Sequence, residues 1–395
     1  MIGFGLFGVS ANAQESTSEL LTLDKAIQMA LEKHPATEAA RLEVEQQQKL
    51  KKSAFELDKT RISYSSGQLN ASRLDYQWQV SQGFKFPTTY ITQSKLQGEK
   101  IALSESALQV TSLQVEHKVR SAWVQMEYGN DLVALLNEFV EKHKNWATVA
   151  EKRFTAGEIN ALERTMAESQ YQQMLLKAQQ AESDVVIYGG QLAMWIGGES
   201  ESQFPLDGLT KIDMENLNVA GVLNNPELSY SHQQVEVMKK QHTLEKAGFL
   251  PDFSIGYINQ QIEGVGGLDA LQFGVGVPLF FWAQQGKMQA AKLGNERAAA
   301  EYENQLLTLA TEYQIKSQEL QKFQMQLLWY DQQGLKLANE LIRFGKKAYD
   351  SGEIEYLEYI KSLEQAIQIK TDYLAVLQQY NQYAIDLQYL SGSFN

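Results

Sequence analysis

Thr155-Ala156-Gly157-Glu158-Ile159 returns 195 residues later as Asp350-Ser351-Gly352-Glu353-Ile354. The same offset carries Trp195-Ile196-Gly197 onto Leu390-Ser391-Gly392, and an offset of 191 carries His34-Pro35 onto Asn225-Pro226. A nearly constant displacement over separated markers is the signature of an internal repeat. The 395-residue chain therefore reads as two structural repeats, residues 14–203 and 204–395. Residues 198–217, rich in Gly, Ser, Glu and Asp, link them. Each repeat has one expected order: a short helix near the proline, a longer helix, two strand-like runs, a very long helix, a glycine turn and a further helix.

The strand-like runs alternate with period two. Leu74, Tyr76, Trp78 and Val80 alternate with Asp75, Gln77, Gln79 and Ser81, and Ile62 and Tyr64 with Arg61, Ser63 and Ser65. Phe253, Ile255 and Tyr257 alternate with Asp252, Ser254 and Gly256; Leu271, Phe273, Val275 and Val277 alternate with Gln272, Gly274 and Gly276. Two hairpins are predicted, at about residues 60–83 and 252–280. Gly67-Gln68-Leu69-Asn70 and Gly264-Val265-Gly266-Gly267 are the predicted turns. The runs approach the roughly 9–11 residues of a membrane β-strand. Tyr76, Trp78, Tyr257 and Phe273 are then the candidate membrane-facing aromatics; the alternative is a half-buried sheet in a soluble domain. Four strands cannot close a barrel, since the small ones have about eight, and lipid tolerates no open edge. Several chains must share one barrel if these strands are in a membrane; three chains give twelve strands.

Residues 92–154 contain no proline and few glycines, with Leu132, Leu135, Phe139, Trp146 and Val149 on heptad positions. After the second hairpin, Tyr302, Leu306, Leu309, Tyr313, Leu320, Phe323, Leu327, Tyr330, Leu337 and Leu341 follow a four-three spacing that only Lys316 and Gly334 interrupt. That predicts coiled-coil seams. Helices of about 60 residues run to about 90–100 Å at 1.5 Å per residue, longer than a compact domain of this size encloses. The fold class is mainly α with a small β part.

The net charge is −13 and the pI about 5.0, which disfavours nucleic acid as a partner. Cysteine is absent, excluding disulfides, thiolate metal sites and a lipid-modified cysteine. Ile2 to Val9 is apolar, and Ala11-Asn12-Ala13 fits a cleavage site before Gln14, so residues 1–13 read as the remnant of an export signal. The positive stretch expected before it is missing, the first basic residue being Lys25. None of the five histidines, His34, His117, His143, His232 and His242, has another three or four residues away, so no helix-face metal pair is expected. No phosphate-cradling motif is present, because Gly264 to Gly267 lacks the lysine and the following helix. No cofactor, metal or catalytic constellation is expected, and the chain does not read as an enzyme.

Leu23-Asp24-Lys25-Ala26-Ile27 with Ala30-Leu31 and His34-Pro35, Leu223-Asn224-Asn225-Pro226-Glu227-Leu228, Leu250-Pro251-Asp252-Phe253, Val277-Pro278-Leu279-Phe280, and the paired turns Arg153-Phe154-Thr155-Ala156-Gly157 and Ala348-Tyr349-Asp350-Ser351-Gly352 resemble, in this order and along nearly the whole chain, the TolC-like outer-membrane efflux family. His34 stands where that family usually has Asn. The resemblance implies a homotrimer whose chains each give four strands to a shared twelve-stranded barrel in outer-membrane lipid of a Gram-negative bacterium. It implies a periplasmic α-barrel of coiled-coil helices that meets a periplasmic adaptor and an inner-membrane transporter, RND-type or ATP-driven. The chain would be a passive exit duct of a tripartite efflux system or, within that class, of type I protein secretion. The alternative function is a periplasmic coiled-coil adaptor. By the same resemblance the tip turns, at about residues 154–160 and 349–355, carry the aperture: Phe154, Gly157, Glu163, Tyr349, Gly352 and Glu358, with Glu158 and Glu353 adding charge. Ile354 replaces a basic residue of some relatives. Rings of carboxylates would favour cations; the alternative is that these glutamates are ordinary helix-start charges.

Overall fold

The computed structural model describes residues 21–70, 72–198, 208–214 and 219–394. The expected signal remnant, residues 1–13, and much of the linker lie outside them. The helices are α1 (Leu23–Lys33), α2 (Pro35–Leu50), α3 (Pro87–Thr155), α4 (Ala161–Trp195), α5 (Pro226–Ala247), α6 (Phe281–Trp329), α7 (Leu335–Asp350) and α8 (Tyr356–Leu390). The strands are β1 (Arg61–Gly67), β2 (Asp75–Phe84), β3 (Asp252–Ile262) and β4 (Val265–Gly276). Short 3-10 turns cover Lys51–Phe55 and Val219–Asn224. Among the described residues, the second half has a 3-10 turn before its proline where the first has α1, a departure from the expected order.

Helix starts follow from capping chemistry. Asn225 caps α5: its side chain accepts the Glu227 N–H at 2.8 Å, and Pro226 occupies the first helical position, where its missing N–H costs nothing. His34 does the same for α2, its Nδ1 accepting the Ala36 N–H at 3.2 Å ahead of Pro35. An imidazole nitrogen fills the acceptor role of the amide oxygen, which explains how His serves at that position.

Helix α3 runs for 69 residues, starting five residues before its expected start. Helices α6 and α7 are one helical run joined by a π-helical turn at Tyr330–Gly334. That turn corrects the heptad reading. A π turn inserts one residue into the helical phase, so the stripe that buries Leu309, Tyr313, Leu320 and Leu327 continues with Ala338, fully buried, while Leu337 is 46% exposed. In α3, Phe139 is buried as expected but Val149 is exposed; Leu136, Val140 and Ala150 lie inside instead.

Contacts divide the described chain into two compact units, each drawn from both halves of the sequence. One holds Val119–Thr210 and Ala338–Ala375 with the described residues before Leu31; the other holds Leu31–Lys118, Lys211–Leu337 and the chain from Val376. The first has a core of Leu136, Phe139 and Val140 of α3, Met174, Ala178 and Ala181 of α4, and Tyr359, Ile360, Leu363 and Ile367 of α8. The second contains the sheet, antiparallel in the order β1-β2-β3-β4. The hairpins join through β2 and β3, with Trp78 opposite Asn259 and Val80 opposite Tyr257. The second hairpin turns earlier than expected. Glu263 and Gly264 form a two-residue turn with φ of 49° and 87°, the positive pair that matches strand twist, and Val265 to Gly267 belong to β4.

Candidate functional site

The sheet register sorts the strands' side chains onto two faces. One carries Ile62 and Tyr64, then Tyr76, Trp78 and Val80, then Phe253, Ile255 and Tyr257, then Leu271, Phe273 and Val275. The structure therefore brings Tyr76, Trp78, Tyr257 and Phe273 together on one surface. That surface is uncovered by the rest of the chain: Phe273 is 75% exposed and Trp78 50%. A contiguous apolar face of this size marks an interaction surface. The opposite face carries Ser63, Ser65, Gln77, Gln79, Ser81, Gln272 and Gly274, with Ile258, Leu268 and Ala270 toward the turn end. Gln79 donates to Gln272 across it at 2.9 Å. At the turn end, the buried Asp75 carboxylate accepts the Asn70 N–H at 3.0 Å and the Glu263 N–H at 3.2 Å, tying both hairpin tips together. Strands β1 and β4 each leave one edge unpaired.

The two glycine turns share one backbone geometry. Gly157 and Gly352 have φ of 77° and 75°. The Gly157 N–H reaches the Phe154 carbonyl and the Glu158 N–H the Arg153 carbonyl; Gly352 to Tyr349 and Glu353 to Ala348 repeat this. These are Schellman caps with glycine at the left-handed position. Both turns lie in the first unit. Tyr349 does not project freely. It stacks on Tyr359 at 5.4 Å and meets Trp146 edge-on at 4.8 Å, and its hydroxyl accepts from Arg153 at 2.9 Å. Phe154 lies under the Arg164 guanidinium at 4.6 Å. Glu163 and Asn160 cap each other: Asn160 accepts the Glu163 N–H at 2.9 Å and donates to its carboxylate at 2.8 Å. Glu358 stands in the first turn of α8, exposed, with no side-chain partner among the described residues. Of the two carboxylates, only Glu358 is free to act outward.

Sequence reading missed Arg153, Arg164, Trp146 and Tyr359 as members of this cluster. Arg153 directly precedes Phe154, but its partner Tyr349 is 196 residues away, and no local pattern pairs them. It also missed His143, buried between helices in the same unit, with neither ring nitrogen hydrogen-bonded. Burial first, then the nearby Lys177 charge, lower its pKa, so the ring is neutral at pH 7. Lys316, read as an interruption of the seam, pairs with Asp386 at 2.7 Å. Asp386 also accepts from His117 and Gln382, each at 2.9 Å. Burial pushes its carboxyl up, but these bonds and the Lys316 charge outweigh burial and hold it at about 2. Among the described residues no group of acids and histidines could hold a metal, and no helix is long and apolar enough to cross a membrane.

Residues 222–393 match the sequence profile described as "Outer membrane efflux protein". Solved structures share the fold over nearly the full length. The CmeC outer membrane channel of Campylobacter jejuni aligns over 99% of this chain and 94% of its own, with a TM-score of 0.80 at 14% identity. The outer membrane protein VceC of Vibrio cholerae aligns over 94% and 96%, TM-score 0.78, 14% identity. The open-state MtrE outer membrane channel of Neisseria gonorrhoeae aligns over 94% and 89%, TM-score 0.78, 15% identity. No curated sequence relative matches.

Proposed function

We propose that the chain, whose residues 222–393 match the outer membrane efflux protein profile, is one protomer of a trimeric outer-membrane duct, the passive last stage of a tripartite efflux system. The family is one of passive channels, not of enzymes. The observation that carries the reading is the uncovered apolar sheet face backed by a mainly polar one. One side suits lipid and the other water, the alternation of a membrane barrel. The two unpaired edges supply the reason for several copies, since lipid admits only closed sheets. Two tandem repeats, residues 14–203 and 204–395, account for the matching glycine turns and hairpins. The helices would form the periplasmic conduit, and their partners would be an adaptor and an inner-membrane transporter.

In this reading the glycine turns bound the aperture. Arg153, clamped between Tyr349 and Glu158 (3.5 Å to the latter), holds two helix ends together, and Glu358 contributes an acidic ring. The test is conductance in planar lipid bilayers. The purified protein should give discrete current steps preferring cations, and Glu163→Gln/Glu358→Gln should lower that preference, chiefly through Glu358. Protein that inserts but never conducts, even with Arg153→Ala, would count against a duct; unchanged selectivity in the double variant would remove the acidic ring alone.

A further inference from the structure

Beside the helix end of the sheet the charge balance of the chain reverses. The protein as a whole carries −13, yet Lys51, Lys52, Lys59, Lys95, Lys246 and Lys287 are all exposed there, and none has an ion pair or a side-chain hydrogen bond among the described residues. Contacts fix these lysines near one level. Gln97 of α3 donates to the Gln47 carbonyl at 2.9 Å, so the end of α2 lies beside the start of α3, with Lys51 about one turn nearer the sheet. Phe55 stacks on Tyr90 at 6.5 Å, which holds the 3-10 turn carrying Lys51 and Lys52 against the first turn of α3. Gln284 of α6 donates to the Glu245 carbonyl at 2.7 Å, which sets Lys246 against the first turn of α6, with Lys287 less than a turn beyond. Lys95 and Lys287 stand eight and six residues past the starts of their helices. At 1.5 Å per residue these are about 12 and 9 Å, comparable to the ~8–10 Å over which salt leaves a charge felt.

The acids at this level are engaged elsewhere. Glu43 accepts from Gln47 at 2.8 Å, Glu45 pairs with Lys49 at 3.5 Å and Glu99 with Lys240 at 3.6 Å. Glu245 accepts from Gln241 at 3.0 Å and from Gln284 at 3.2 Å. Asp252 stands on the polar face of the sheet opposite Gly276, as Arg61 does opposite Ser81, and Asp58 lies against Gly83 on that same face. That leaves the exposed Glu56 to answer six lysines. The result is a cationic belt across the roots of both hairpins, and its complement is a dense anionic surface. In the channel reading the sheet leaves hydrocarbon at this end, so the surface facing the belt is a headgroup layer, where basic residues attract anionic lipid.

We propose that this belt collects anionic phospholipid headgroups from the leaflet on the helix side. This rests on the channel reading, and the test separates the two. The protein is reconstituted in phosphatidylcholine vesicles with a trace of spin-labelled phosphatidylglycerol or phosphatidylcholine, and electron spin resonance reads the fraction of label slowed by the protein. The wild type should hold phosphatidylglycerol over phosphatidylcholine by about fivefold where one lysine meets one headgroup, a preference that falls with added salt. Lys51→Gln/Lys52→Gln/Lys246→Gln/Lys287→Gln should lose it, and the same four changed to Arg should keep it. Should the fourfold variant misfold, Lys51→Gln/Lys52→Gln and Lys246→Gln/Lys287→Gln should each lower it. Equal retention of the two lipids by the wild type, or an unchanged preference in the Gln variants, overturns the proposal. No slowed fraction of either lipid means that the membrane reading itself fails. Cell-wall sacculi offer carboxylates instead: if detergent-solubilised wild type sediments with them and the Gln variant does not, while the lipid preference is unchanged, the belt serves the wall and not the leaflet.

Discussion

At Gly392 a side chain has nowhere to go. A Cβ there would come within 2.8 Å of the Asn224 carbonyl oxygen and of the Asn225 Cα, in backbone at φ 76°. At Gly157 and Gly352 the same left-handed backbone faces open space, so only conformation opposes a side chain. Gly157→Ala and Gly352→Ala should each cost about 1 kcal/mol, and Gly392→Ala clearly more, readable as thermal midpoints. Equal losses at all three would mean that the Asn224–Asn225 contact is unimportant. His143 gives a pH dependence of opposite origin to the acids. Its folded pKa lies below the ordinary value of 6.5. Its cost is absent above that value and grows as pH falls below it, because only the unfolded chain takes the proton readily. The thermal midpoint should drop between pH 7.5 and 5 in the wild type and drop less in His143→Leu. Pattern reading located the glycines, because a repeated Gly between helical runs has few other meanings. It could not find His143, since burial of a lone histidine depends on which neighbours α4 and α8 supply.

Helices α3, α6 and α8 meet at Asp386. Removing it leaves His117 and Lys316 facing each other's space without their shared acceptor. Asp386→Ala should destabilise by about 2 kcal/mol, less than the ~3–5 for breaking a fully buried pair, since 36% of the Lys316 side chain reaches solvent. Held at about 2 against an ordinary 3.8, the carboxylate stabilises the fold above pH 3.8, and that contribution fades as pH falls toward 2. Wild type and variant should therefore converge in acid stability; a constant gap down to pH 2 would contradict the assignment. The seam through Leu309 to Leu327 was legible because heptad spacing reports burial directly. Its failure at Leu337 was not legible, because the π turn before it leaves the spacing of the letters unchanged while rotating the helix beneath them. The second hairpin shows the same limit. Three glycines in reach of the turn, Gly264, Gly266 and Gly267, blurred which pair would take it, and Glu263 with Gly264 won because two positive φ values fit the twist of the strands.

For the whole molecule, alternation in the strands foretold two-faced hairpins. How the chain's ends and edges are completed was never written in one copy of the sequence, because pairing between copies leaves no periodicity within one. The central claim is that β1 of one protomer pairs with β4 of the next until three close a ring. The direct measurement uses cysteines introduced into the cysteine-free chain, one at Tyr64→Cys in β1 and one scanned through Leu271→Cys, Phe273→Cys and Val275→Cys in β4, oxidised in the membrane and resolved on denaturing gels. The account predicts, at one register, a covalent species of three chains and nothing larger. Chains that stay monomeric at every register, or a ladder that continues past three, would contradict it.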